Sequence, residues 1–115
     1  MIAVIFEVRP TEGRAGRYLD LAAALRPTLE TIDGFLSVER FRSLSDPGKL
    51  LSLSFWRDEE AVREWRNTPS HRATQAEGRW EVLADYRLRI ADVMRDYGMN
   101  DREEAPMDSR SAHDG

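Results

Sequence analysis

Phe55, Trp56, Trp65, Asn67, His71, Arg72 and Gln75 bring large flat rings, a titratable imidazole and a guanidinium into one short stretch of chain. An imidazole has an ordinary pKa of about 6.5 and can take or give a proton near neutrality. A guanidinium beside it can hold an oxygen that gains negative charge. Stiff indoles suit the lining of a cavity for a flat aromatic ligand. Each residue alone has an ordinary structural use: Trp65 as core packing, His71 as decoration of a helix N-terminus, Arg72 as a solvated cation. Their combination points to a small-molecule pocket with an oxygen polarised at one end.

Other chemistries are excluded by what the sequence lacks. The 115 residues contain no cysteine, so disulfides, thiolate metal sites, iron–sulfur clusters and a cysteine nucleophile are absent. His71 and His113 are the only imidazoles, and no H-E-x-x-H or multi-histidine grouping exists to bind zinc. No metal site is therefore predicted. The seven glycines never approach a G-x-G-x-x-G spacing, and no serine sits in a nucleophile-elbow setting that would let His71 serve a Ser-His-Asp triad. Sixteen arginines and the single Lys49 stand against 21 acids, for a net charge of −4. No overall positive field draws in nucleic acid or an anionic membrane.

A β-α-β-β-α-β order of elements must position the cluster. Ile2 to Arg9 is almost continuously apolar or β-branched, as in a strand buried on both faces. With no basic residue before it and no cleavage-like site, the run reads as neither signal peptide nor membrane span, and the protein as cytoplasmic. Pro10-Thr11-Glu12-Gly13 ends the strand. Tyr18, Ala22, Leu25, Leu29 and Ile32 then form one helical stripe, which Pro27 kinks or restarts and Asp33-Gly34 stops. Phe35–Leu44 and Lys49–Trp56 alternate around Asp46-Pro47-Gly48 as an antiparallel hairpin.

Asp58 caps the next helix, with Glu59 and Glu60 in its first turn and Ala61, Val62 and Trp65 facing inward. Thr68-Pro69-Ser70 breaks the pattern, so His71 begins a new segment that carries Arg72, Gln75 and Arg79 and ends at Gly78 and Trp80. Glu81–Tyr97 alternates as the fourth strand, with Tyr86, Leu88 and Ile90 on one face and Leu83, Asp85 and Val93 on the other. Residues 98–115 hold five acids, two arginines and only two methionines as large apolar groups. The domain is accordingly placed at residues 1–97, with 98–115 expected to be a flexible acidic tail.

This is an α+β, ferredoxin-like arrangement, a four-stranded antiparallel sheet with helices on one face. The first and last strands are too apolar to leave the other face wet. A second copy of the chain is the simplest cover, which predicts a homodimer packed sheet to sheet, its last strand reaching across to the partner.

The run from Phe55-Trp56-Arg57-Asp58-Glu59-Glu60 through Trp65-Arg66-Asn67-Thr68-Pro69-Ser70-His71-Arg72 to Gln75, with its W-x8-W-x5-H spacing, and the later Asp85-Tyr86-Arg87 resemble the antibiotic biosynthesis monooxygenase (ABM) family. The resemblance extends over residues 1–97. It implies a dimeric α+β barrel and, in one branch, oxidation of polycyclic aromatic phenols to quinones by O2 with no flavin, haem or metal, the substrate being the reductant. No cofactor is then expected. It also implies Trp65 as the cavity tryptophan and His71 or Arg72 as base and oxyanion partner; Glu7, Arg9, Phe55 and Tyr86 are the expected substrate contacts.

A haem-degrading branch carries an Asn on the first strand and an iron-ligating His ten residues after its helical Trp. Here Glu7 stands near the Asn position and Gln75 at the His position, and glutamine is a poor iron ligand. The expected function is an ABM-type monooxygenase or oxidase of an aromatic or quinol-like small molecule. The competing reading is a non-catalytic small-ligand-binding or stress-associated dimer of the same fold. Glu7, Arg9, His71 and Arg72 converging with Trp65 in one buried pocket would favour catalysis, and a pocket filled by its own side chains would favour binding or structure.

Overall fold

The computed structural model describes residues 1–77 and 82–113. Its elements run β1 (Ile2–Pro10), α1 (Ala15–Ala24), α2 (Arg26–Leu29), β2 (Phe35–Arg42), β3 (Leu50–Trp56), α3 (Glu59–Arg66), α4 (Pro69–Glu77), β4 (Leu83–Asp92) and α5 (Met107–His113). All strand pairs are antiparallel and the sheet order is β2-β3-β1-β4, the α+β ferredoxin-like fold that the element order predicts.

Local signals set the boundaries. Pro27 falls in the first turn of α2, where its missing N–H removes no helical bond, so the stripe restarts there. Gly34 then turns the chain at φ +94°, and a Cβ at that position would lie 2.9 Å from the Cβ of Ala61. Glycine is required twice over, for the left-handed backbone and for the close approach of the turn to α3. The Asp58 side chain accepts from the Ala61 N–H at 2.9 Å, capping α3.

Ladder register fixes which side chains share a face. Val4 pairs with Ser54 and Ile90, Phe6 with Ser52 and Leu88, and Val38 and Arg40 with Ser54 and Ser52, so these residues face the helices together. Ile5, Leu51, Leu53 and Phe55 take the opposite face. On the helical side the core is in two clusters. Val8, Tyr18, Ala22, Leu50 and Val82 form one under α1, and Leu29, Ile32, Trp56, Ala61 and Val62 form the other under α2 and α3.

Three features differ from the sequence expectation. β4 ends at Asp92, paired with Ile2 at the start of β1, and the Val93 N–H donates to the Met1 carbonyl at 2.9 Å. A register shift opposite Arg9/Pro10 brings Leu83 to the helical side with Tyr86 and Leu88 rather than to the far side with Asp85. The segment after residue 97 also holds local order that its composition does not suggest. Arg102 lies over the Tyr97 ring at 5.2 Å, Ala105 is buried, and α5 forms. Short-range hydrogen bonds, such as Gly98 N–H to Asp101 carbonyl at 2.8 Å, contribute to this order and do not need the apolar surface of a core.

The expected helix end at Gly78 and Trp80 and strand start at Glu81 lie outside the described residues. No helix among the described residues is long and apolar enough to cross a membrane.

Candidate functional site

The two core clusters leave a cavity of about 300 Å³ between them. Its floor is the sheet: Val4, Phe6, Val38, Arg40, Ser52, Ser54, Trp56, Tyr86, Leu88 and Ile90. Tyr18, Leu21, Ala22, Leu25 and Leu29 cover one side, and Val62, Trp65, Arg66 and His71 the other. Tyr86, Leu88 and Ile90 stay 41%, 51% and 44% exposed, so the cavity is reachable along β4.

An aromatic row forms one wall. The Phe35 ring meets Trp56 edge-on at 5.2 Å, Trp65 stacks on Trp56 at 6.4 Å, and His71 lies 4.7 Å from Trp65. Trp56 is fully buried, and its indole N–H donates to the Ser54 hydroxyl at 2.9 Å, so the row contains no unpaired Trp56 donor.

The break between α3 and α4 places His71 in this row. The Thr68 hydroxyl donates to the Trp65 carbonyl at 2.9 Å and accepts the His71 backbone N–H at 3.3 Å, ending one helix and capping the next. His71 Nδ1 lies 3.2 Å from the Arg66 carbonyl oxygen. A carbonyl only accepts, so Nδ1 carries the hydrogen and Nε2 keeps the lone pair in the neutral ring. Burial pushes the imidazole below its ordinary pKa; the hydrogen bond to Arg66 opposes this, and the nearby Arg72 and Arg66 charges add to it. His71 is thus a neutral imidazole at physiological pH.

Of the seven residues singled out from the sequence, the structure brings Trp65, His71 and Tyr86 together on the cavity. Arg72 does not line it; it is exposed, and its Nη2 donates to Asn67 Oδ1 at 2.7 Å. Glu7, Arg9 and Phe55 belong to the opposite register of the sheet. Glu7 lies 3.3 Å from Lys49 and 3.4 Å from Arg89, and its hydrogen bond to Lys49 holds the carboxyl below the usual range. Arg9 pairs with Asp46. Gln75 lies on α4, its side chain outside what is described.

Two cavity residues were not singled out from the sequence. Arg40 projects from edge strand β2 into the cavity, and Tyr18 from α1 meets its guanidinium. Burial raises the Tyr18 phenol above its ordinary pKa while Arg40 opposes the shift, so Tyr18 stays neutral. Arg40 stands two residues after Val38 on β2, opposite Ser52, in the register that faces the helices. Among the described residues lining the cavity none is acidic. An apolar chamber holding arginines and a neutral imidazole can take a proton from a bound molecule and hold the resulting anion.

Comparison with known proteins bears on the family and the fold. The sequence pattern of the family described as "Antibiotic biosynthesis monooxygenase" matches residues 1–77. A protein of Pyricularia oryzae named "Jasmonate monooxygenase ABM" is 52% identical over 93 residues, covering 81% of this chain and 43% of that protein. The chain therefore spans less than half the length of that relative. The uncharacterized protein YqjZ of Bacillus subtilis is 31% identical over 93 residues, 81% of this chain and 79% of its own. The structure of Rv0793 from Mycobacterium tuberculosis superposes with a TM-score of 0.75 at 18% identity, over 84% of this chain and 98% of that one.

The His71 environment gives a pH dependence of stability. Its folded pKa is lowered, so the unfolded chain binds more protons below pH 6.5, and the stabilisation present above that pH is lost as pH falls through the folded value. An NMR titration of the His71 ring is expected to show a midpoint below the ordinary 6.5; a midpoint at or above it contradicts the neutral-imidazole assignment.

Proposed function

The chain belongs to the antibiotic biosynthesis monooxygenase family, and from that membership we propose that it oxidises a compact aromatic or quinol-like molecule with O2 inside this cavity. The observation that carries the reading is a neutral imidazole, with its Nε2 lone pair unprotonated, on the wall of an apolar chamber whose described lining residues include no carboxylate. The relative named as a jasmonate monooxygenase supports oxygenation as the reaction class.

In the proposed reaction an activated methylene of the substrate loses a proton to His71. The arginines lining the cavity stabilise the anion, which passes one electron to O2; the radical and superoxide combine into a carbon-bound peroxide. Loss of the second C–H proton with cleavage of the O–O bond gives the ketone, so that the methylene and one O2 become a carbonyl and one water. The substrate supplies the electrons, without flavin, haem or metal. Trp56 and Trp65 hold the flat ring, and the apolar walls keep water from the peroxide.

We also propose that two chains pack through the sheet face that carries Ile5, Leu51, Leu53 and Phe55. This apolar stripe is half-buried, and Glu7, Lys49 and Arg89 rim it. The chain's radius of gyration, 16.7 Å, exceeds the value of about 13 Å for a compact chain of this length, consistent with segments placed outside its own core.

With anthrone as substrate, O2 uptake above the spontaneous rate is expected, and His71→Ala should lower kcat/KM by about 10²–10⁴-fold at pH 7.5. Equal rates for wild type and His71→Ala contradict the assignment of the base. Sedimentation equilibrium at micromolar concentration should return twice the chain mass of 13.2 kDa; a single-chain mass contradicts the dimer.

A further inference from the structure

Resting on the cavity reading above, we propose that the site selects apolar ligands that carry one carboxylate, anchored by Arg40 and Tyr18. Arg40 leaves β2 opposite Ser52 and turns its side chain to the interior. Its Nε is buried and has no hydrogen-bond partner. Among the described residues no carboxylate pairs with it, whereas Arg9, Arg26, Arg57 and Arg89 each meet an Asp or Glu. The Tyr18 hydroxyl is the group it does meet, and Tyr18 is itself buried and neutral.

A buried guanidinium N–H with no acceptor is unfavourable until an anion fills it. The planar fork of N–H donors matches the two oxygens of a carboxylate. The charge count favours a monoanion. At the Arg40 end of the cavity one guanidinium with one neutral phenol compensates a single negative charge, Arg66 lying on the opposite wall beside His71, so a phosphate dianion would leave its second charge uncompensated there. With the carboxylate at Arg40, on one edge strand, the apolar remainder extends across Val4 and Phe6 toward Trp56 and Trp65, where His71 stands. The anchor thus fixes which carbon reaches the imidazole, and Arg40 acts as a specificity-determining residue.

The test compares 4-phenylbutanoate with its neutral isostere 4-phenylbutanamide, by calorimetric titration of the full chain at pH 7.5. Wild type is expected to bind the carboxylate at least ~10-fold more tightly than the amide, the scale of one charge-assisted hydrogen bond. Arg40→Met should bind both alike, at the wild-type affinity for the amide, and Tyr18→Phe should keep a reduced preference. Equal wild-type affinities for the two compounds overturn the proposal while leaving the cavity reading intact, and this comparison needs no variant to fold. A preference that survives in Arg40→Met also overturns it. Binding of neither compound to wild type removes the cavity as a ligand site, and the anchor with it.

Discussion

Two-residue alternation along four paired strands decides which side chains of this protein can meet. Among the described residues, β1, β2 and β3 line the cavity from one register alone, so Glu7, Arg9 and Phe55 are denied to it whatever their chemistry. The same alternation gathers Val4, Phe6, Val38, Arg40, Ser52, Ser54 and Trp56 under the helices, and the split of the core into two clusters keeps a chamber open between them. A floor with small serines at its centre and large rings at its ends leaves room that bulkier side chains at 52 and 54 would fill.

The second constraint is the broken helix. A continuous helix from Glu59 would carry residue 71 about 240° round from Trp65, away from the indole. Thr68 and Pro69 interrupt it, and the restart sets His71 against Trp65 with its Nδ1 facing the Arg66 carbonyl. One turn of backbone therefore fixes the position, the tautomer and the protonation state of the imidazole. Burial beside arginines depresses its pKa and keeps it a base.

Local chemistry made most of the architecture legible in the sequence. Pro27, Gly34, the Asp46-Pro47-Gly48 turn, the Asp58 cap and the break at Pro69 each act through their own backbone, and the structure uses all of them. Trp65 and His71 stood out by their residue types within one short stretch and Tyr86 through the family resemblance, and all three line the cavity. What was not legible needed the parity of each strand relative to the helices. Phe55 and Trp56 are neighbours on one strand and cannot both face the chamber; Trp56 does, and Phe55, Glu7 and Arg9 share the other register. Arg40 escaped notice because an arginine on a strand reads as a surface residue, and only the assembled cavity shows its Nε without a partner. The order after residue 97 rests on short-range bonds and one cation–π contact, which composition does not reveal.

The central claim is that ligand occupies the helical side of the sheet. Methyl-resolved NMR during titration with 2-naphthol addresses it directly, because aliphatic residues of the two registers report separately. The account predicts shifts at Val4, Val62 and Leu88, which line the chamber, with Ile5, Leu51 and Leu53 unmoved. Shifts concentrated at Ile5, Leu51 and Leu53 would place the site on the other face and contradict the account.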